Sequence, residues 1–423
     1  MFSTPRRGRA AVLAVSAALA LGQLALATPA GAAPTATQTA PTLAAGTRFF
    51  TPPPDPGAVR QVIDLGKQRR FADAALITRE VATPQAVWFT DGTPQEVQRE
   101  VRRTVLEAKA FKAVPTLVVY NAPGRDCAQY SAGGAASQSD YQAWADGFAR
   151  GLVANQQVIV VVEPDGLANL PSDCGPAYAA DPQNPTDDER IAEIKYAGEA
   201  IEKAAPNALV YLDAGHSAWH GAGDTAQRLD QAGVREFAGF SLNVSNYQST
   251  DQLSHFGTWV SDCLTAVASG ADWARGHYDW CAGPYNGPVA DYSAANVAAV
   301  DASYAGMLAG AQPTTRFVLD TSRNGQGAWA PAAGTTYPDP QTWCNPPGRG
   351  LGARPQAQPD PAFPLVDAYL WIKTPGQSDG QCNRGVAGST TDPEWGGITD
   401  PAAGAWFPQQ ALQLAKLASP PLR

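Results

Sequence analysis

From about residue 85 the chain alternates short, continuously apolar runs with longer segments in which apolar positions recur every three to four residues. The runs 86–90, 116–120, 158–163, 209–213, 237–243, 316–320 and 368–372 are rich in Val, Ile, Leu and aromatic residues and predict strands. Segments 95–111, 140–155, 188–205 and 294–308 between them carry helical periodicity. Strands that are apolar on both faces belong to parallel sheets covered on both sides by helices. Seven or eight strand–helix units over this length predict an α/β fold, a distorted, TIM-like (β/α) barrel of seven to eight parallel strands. An open doubly wound sheet is the alternative. No GxGxxG or GxxxxGK[ST] follows a strand, which weakens a nucleotide-binding version of it.

Ahead of this alternation the chain has a different character. Arg6, Arg7 and Arg9 precede an apolar run from Ala10 to about Ala27, and small residues end at Ala33. Charged, apolar, then small is the order of a secretory signal peptide, so residues 1–33 are expected to be removed on export. Gly22 and Gln23 interrupt the run and no basic residue flanks it on the right, which argues against a retained membrane anchor. No other stretch approaches the roughly 20 apolar residues of a membrane span. Residues 34–47, rich in Ala, Thr, Pro and Gly, read as a disordered lead-in, and 48–423 as one folded domain.

Loss of the leader removes three arginines and no acids, moving the formal charge from −9 to −12. An acidic chain without a basic cluster is poorly suited to nucleic acid, where phosphate neutralisation dominates affinity. It suits a neutral polymer or a small solute. Cys127, Cys174, Cys263, Cys281, Cys344 and Cys382 form an even set, as disulfides in an exported chain require. No CxxC occurs, so a zinc cluster is not expected. Sequence leaves every pairing open; 127–174, 263–281 and 344–382 closes the shortest loops and is preferred.

Acids follow the strands repeatedly: Asp126, Glu163 and Asp165, Asp213, Asp320, and Asp379 after Lys373. An Asp after a strand usually caps the next helix. Five such places at one end of one sheet are where a barrel of this kind carries its chemistry. His216 and His220 stand four apart without the Glu of an HExxH site, so no metal is expected.

Two segments, Val118-Val-Tyr-Asn-Ala-Pro-Gly-Arg-Asp-Cys127 and Val160-Val-Val-Glu-Pro-Asp-Gly-Leu167, resemble the signature motifs of glycoside hydrolase family 6, the cellulases. The resemblance continues through Tyr211-Leu-Asp-Ala-Gly-His-Ser-Ala-Trp219, Gly239-Phe-Ser-Leu-Asn243, Asp320-Thr-Ser-Arg-Asn-Gly325 and Leu370-Trp-Ile-Lys-Thr-Pro-Gly-Gln-Ser-Asp-Gly380. It implies a secreted, extracellular β-1,4-glucanase, monomeric and without cofactor or metal, acting on cellulose through two carboxyl groups with inversion. It implies Asp165 as the acid, Asp126 as the carboxylate that raises the pKa of Asp165, Asp379 as the base, and Tyr120 pressing on the sugar. A water chain to Asp126 is a competing route for the base. Arg125 is expected to keep Asp126 ionised. Trp88, Trp219 and Trp371 match sugar platforms. His216, Asn243 and Lys373 match groups that read hydroxyl edges, and Asp213 matches a supporting acid near the sugar. Gln377 stands where the family often has Glu. The loop after Cys127 is short, which favours an open cleft and internal cutting; release of cellobiose from chain ends is the alternative.

Overall fold

The computed structural model describes residues 42–284 and 290–422. The expected leader, 1–33, and the start of the expected lead-in lie outside them. The apolar runs form β1 Val87–Phe89, β2 Thr116–Val119, β3 Val158–Val162, β4 Ala208–Asp213, β5 Gly239–Leu242, β6 Arg316–Asp320, the two-residue β7 Gln356–Ala357, and β8 Val366–Leu370. The helices are α1 Pro56–Lys67, α2 Phe71–Val81, α3 Pro94–Ala110, α4 Gln138–Gly151, α5 Pro176–Ala179, α6 Asp187–Ala204, α7 Ala222–Gln231, α8 Thr250–Ser269, α9 Ala294–Leu308 and α10 Pro408–Lys416.

One sheet runs in the order β1-β2-β3-β4-β5-β6-β8-β7. Seven strands are parallel neighbours in chain order, and β7 adds antiparallel to β8. Among the described residues no strand ladder joins β1 to β8. The seam is bridged by the Ala86 N–H, which donates to the Trp371 carbonyl at 2.9 Å, and by the Trp88 indole N–H, which donates to the Ile372 carbonyl at 2.8 Å. The barrel is therefore distorted and incompletely closed.

Successive side chains on a strand point to opposite faces, and here both faces are buried. Leu117, Val119, Val158, Val160, Val162, Val210 and Leu212 pack outward under the helices. Val118, Ile159, Val161, Leu209, Tyr211, Val318 and Leu370 fill the inside of the curled sheet. Both sets being apolar, the sequence shows unbroken runs rather than alternation. Helices α3 and α6 start at capping boxes, Thr93 with Glu96 and Thr186 with Glu189. The sequence pattern did not reveal α8. Most of its 20 residues are buried, so it lacks the polar stripe that marks a surface helix.

The lead-in reading fails over 42–47. Leu43 is buried inside the sheet, the Gln358 side chain donates to its carbonyl at 2.6 Å, and Gln157 donates to the Thr42 carbonyl at 3.2 Å. One leucine in an otherwise small-residue stretch is enough to dock it. The disulfides are Cys127–Cys174, Cys263–Cys281 and Cys344–Cys382, the sequential pairing.

Candidate active site

A cleft of about 390 Å³ opens at the carboxyl ends of the strands. Trp88, Tyr120, Asp126, Asp165, His216, Trp219, Lys373 and Asp379 line it, as expected from the sequence.

The chain leaves β3 through two non-glycine residues with positive φ, Glu163 at +48° and Asp165 at +65°. Such backbone is costly and persists only where neighbours over-determine it. Here two buried carboxylates hold it. Glu163 accepts the N–H groups of Asn121 at 2.9 Å and Ala122 at 3.2 Å, binding the end of β3 to the loop after β2. Asp213, at the end of β4, accepts the N–H groups of Asp165 at 2.8 Å and Gly215 at 3.1 Å and the Ser241 hydroxyl at 2.9 Å. A side chain at Gly166 would begin 2.9 Å from the Glu163 carbonyl, so the turn has no room for one.

Asp165 Oδ1 has no hydrogen-bond partner among the described residues. Burial, then Asp213, Asp126 and Asp379, push its carboxyl well above the usual range. These surroundings favour the protonated form, which an acid needs. Asp213 exerts more of this push than Asp126, the carboxylate expected to supply it. Asp213 is itself pushed up to about 7 by burial, despite its three hydrogen bonds. It lies under the cleft and lines no part of it, so the expected contact with sugar gives way to a positioning role.

Asp126 and Cys127 are also left-handed, at φ +58° and +47°. Cys127–Cys174 bonds this loop to the one after β3, joining the segments that carry Asp126 and Asp165. Closing 47 residues removes about 4 kcal/mol of unfolded-chain freedom in the loop-entropy picture. Asp126 accepts the Ser131 N–H at 2.6 Å. Arg125 does favour the ionised form of Asp126, as expected, and so does the Ser131 N–H, but burial outweighs them and leaves the carboxyl raised. The guanidinium donates to the carbonyls of Thr90 at 2.7 Å, Tyr120 at 2.6 Å and Ser131 at 2.9 Å, and lies 4.7 Å over the Tyr120 ring. It is a loop brace. Tyr120 meets Trp88 edge-on at 5.4 Å; burial and the charges of Asp126 and Asp165 keep its phenol protonated.

Asp379 is held by more partners than any other acid of the cleft. Its Oδ2 accepts from Arg323 at 2.9 Å, Tyr247 at 3.1 Å and the Asn345 N–H at 2.9 Å, while Oδ1 faces the Lys373 ammonium at 3.2 Å. Burial pushes the carboxyl up, but Arg323 and Lys373 outweigh it and hold Asp379 below the usual range. It is ionised, with Oδ1 the less crowded oxygen. Asp320, fully buried behind, accepts the N–H groups of Ser245, Ser322, Ile372 and Lys373 and so ties the ends of β5, β6 and β8 together.

Of the expected sugar contacts, Trp88, Trp219, His216 and Lys373 face the cleft. His216, pulled down to about 4 by burial and by His220, is neutral. Trp371 and Asn243 do not face it. Leu370 and Ile372 point into the sheet, so Trp371 between them points outward and packs with Leu351, Leu414 and Ala415. Asn243 is buried with φ +70°; its side chain donates to the Asp320 carbonyl at 2.9 Å and accepts the Gln248 N–H at 2.9 Å. Trp329, Trp343 and Tyr247 line the cleft and were not singled out. Trp329 and Trp343 sit on a long Gly- and Pro-rich loop without periodicity, and Tyr247 on the short turn between β5 and α8. Arg323 lies inside the Asp320–Gly325 motif, where its charge is the signal that marks it.

The loops after Cys127 and Cys382 touch. Tyr130 packs on Gly380, reaches Asn383 at 3.5 Å, accepts from Gln341 at 3.3 Å and lies 5.9 Å from the Trp343 ring. The cleft is thus less open on this side than the short loop implied. The one metal-like cluster among the described residues, Cys382 with Asp392 and Asp400, is committed elsewhere: Cys382 to its disulfide and Asp392 to a buried pair with Arg384.

A model of glycosyl hydrolases family 6 matches residues 44–418. The chain belongs to this family. The chain is 33% identical over 345 residues to endoglucanase A of Cellulomonas fimi, covering 81% of this chain and 56% of that protein. It is 35% identical over 310 residues to endoglucanase 1 of Streptomyces sp. strain KSM-9, covering 73% and 67%. The chain thus spans little more than half of the Cellulomonas protein. The family 6 endoglucanase Cel6 of Mycobacterium tuberculosis, solved with a thio-linked cellobioside, superposes with a TM-score of 0.62 at 32% identity, over 88% of this chain and 98% of that one.

Proposed function

We propose that this family 6 member is a secreted endo-β-1,4-glucanase that hydrolyses internal bonds of cellulose with inversion. The observation that carries this is one cleft walled by indoles and lined by two acids whose surroundings push them apart, the Asp165 carboxyl well up and the Asp379 carboxyl down. Asp165 gives its proton to the glycosidic oxygen as the bond to the anomeric carbon breaks. Water attacks that carbon from the opposite face and loses its proton to Asp379 Oδ1. Trp88 and Trp219 stack on sugar faces; His216 and Lys373 meet hydroxyl edges. Asp126 offers a second route for the water proton, favoured by its raised pKa and its single hydrogen bond. Azide separates the routes: it restores glycosyl transfer when the true base has been cut to Ala.

The named relatives support endo action. The Tyr130 contact favours the second reading, a cellobiohydrolase acting at chain ends, because it encloses part of the cleft. The fall in viscosity of carboxymethylcellulose per reducing end released tests this. A steep early fall is the endo result; slow thinning with cellobiose as the sole product rejects it. Proton NMR of the first anomer tests inversion: α-product is expected, and β-product contradicts it. Export is supported by the leader-like N-terminus and the three disulfides.

A further inference from the structure

Segment 271–281 leaves the end of α8, turns, and returns to the middle of the same helix, where Cys281 is bonded to Cys263. Its backbone is pinned internally and to α8. The Gly276 N–H donates to Val267 at 3.0 Å, Ala274 to Ala271 at 2.8 Å and Cys281 to Tyr278 at 3.1 Å. Ala274 is buried, and the Tyr278 hydroxyl bonds Asp230 on α7.

This rigid segment presents Trp273, 54% exposed, and Trp280, 46% exposed. Of the eleven tryptophans these alone are exposed; the rest are buried or half-buried. Their ring centroids are 6.0 Å apart with a 30° tilt, and the His277 imidazole stacks on Trp280 at 3.8 Å and 7°. Trp280 is thereby locked in place before any ligand arrives. Charged groups rim the pair: Asp272 bridged to Arg275 at 3.0 Å, and Asp279 beside His277 at 3.5 Å. None of these residues lines the cleft.

Leaving two indoles in water is unfavourable, and fixing them there removes the option of folding them away. The apolar area on offer is at most about 250 Å². A stable protein partner needs about 800 Å² on each side, so a protein interface is a poor fit. A glucose ring is a good one: its flat C–H face covers an indole, and its equatorial hydroxyls reach carboxylate and guanidinium groups at the rim. We infer that Trp273 and Trp280 form a second glucan-binding platform on the outer helical layer, which holds the enzyme on polymeric substrate by a contact separate from the cleft. Two contacts on one polymer raise the effective concentration of the second. The inference rests on the proposed glucan substrate class.

The test uses the full chain with Asp165→Ala, which binds without cutting, with and without the pair Trp273→Ala and Trp280→Ala. Adsorption to microcrystalline cellulose and retardation in gels containing hydroxyethylcellulose are measured. The pair is expected to lower the partition coefficient about tenfold, a loss of about 1.4 kcal/mol. Soluble β-glucan is expected to displace the parent. In the chain that retains Asp165, the same pair should leave cellotetraose turnover unchanged, showing an intact fold and cleft. Equal adsorption with and without the pair, adsorption that soluble glucan does not displace, or loss of cellotetraose turnover overturns the platform. An unaltered chain, with Asp165 in place, that fails to cut any cello-oligosaccharide refutes the proposed activity, while the adsorption comparison still decides the platform.

Discussion

Asn345 and Asp379 hold each other twice. The Asn345 N–H donates to the Asp379 carboxylate at 2.9 Å, and the Asp379 N–H donates to the Asn345 side-chain oxygen at 2.8 Å. The Asn345 amide also donates to Ser378 at 2.9 Å, the Gly380 carbonyl at 2.9 Å and Asp400 at 2.8 Å. With φ +40° and the Cys344–Cys382 bond beside it, Asn345 fixes where the Asp379 carboxylate points.

Asn345→Ala removes the side-chain half of this clamp and leaves the Asp379 N–H buried without a partner. A misplacement of about 1 Å costs about 100-fold in rate. Turnover of cellotetraose is expected to fall by about that factor with KM little changed, and stability to fall by about 1–3 kcal/mol. Rates and a denaturant titration check both; a purely structural role would lower stability and leave kcat per folded molecule unchanged.

Asp213→Asn keeps an acceptor for the Asp165 N–H and removes the charge nearest in effect to Asp165. Burial still raises the acid, so activity persists. The alkaline limb of kcat/KM is expected to move to lower pH by about one unit. An unmoved limb contradicts the coupling.

Stability should fall as pH rises through the weakly acid range. Burial pushes Asp213, Glu193, Glu202, Asp262 and Asp400 up to about 7, with a neighbouring carboxylate adding to the push for all five. A raised carboxyl binds its proton more tightly when folded than when unfolded. The folded state therefore holds more protons between about pH 4 and 7, and stability drops across that window. Asp224, lowered to about 2 by His220 against burial, and Asp379 act in the opposite sense below about pH 4, and His216, lowered from 6.5 to about 4, does so inside the window, one group against five. Tm measured from pH 5 to pH 8 is expected to decline; a rise contradicts these assignments.

Trp371 and Trp219 should separate cleanly. Trp371 is buried against Leu414 and donates to the Ala353 carbonyl at 2.9 Å. Trp371→Ala is expected to cost about 3–5 kcal/mol of stability with KM unchanged per folded molecule. Trp219→Ala should raise KM for cello-oligosaccharides at nearly full stability.

The sequence carried the seven parallel strands because burial on both faces writes itself as unbroken apolar runs. Acids recurring where strands end marked the catalytic face, but only the resemblance separated Asp126, Asp165 and Asp379 from Glu163, Asp213 and Asp320. It could not place Trp371 or Asn243, whose direction depends on strand parity and on a left-handed turn. The same limit hid Trp329 and Trp343, brought to the cleft by loops without a period. Helix α8 was lost because it is buried nearly all round. The charge of Arg125 acts on Asp126 as its position suggests, but proximity in sequence says nothing about how deeply Asp126 is buried or which carbonyls the guanidinium braces.

The proton on Asp165 is the claim on which the mechanism depends, and leaving-group dependence tests it most directly. Asp165→Asn should slow cellotetraose hydrolysis by about 10³-fold, within the range for loss of a general acid. It should leave 2,4-dinitrophenyl β-cellobioside, whose leaving group needs no proton, within about tenfold of the unaltered enzyme. An equal loss on both substrates, or no loss on cellotetraose, would contradict the assignment.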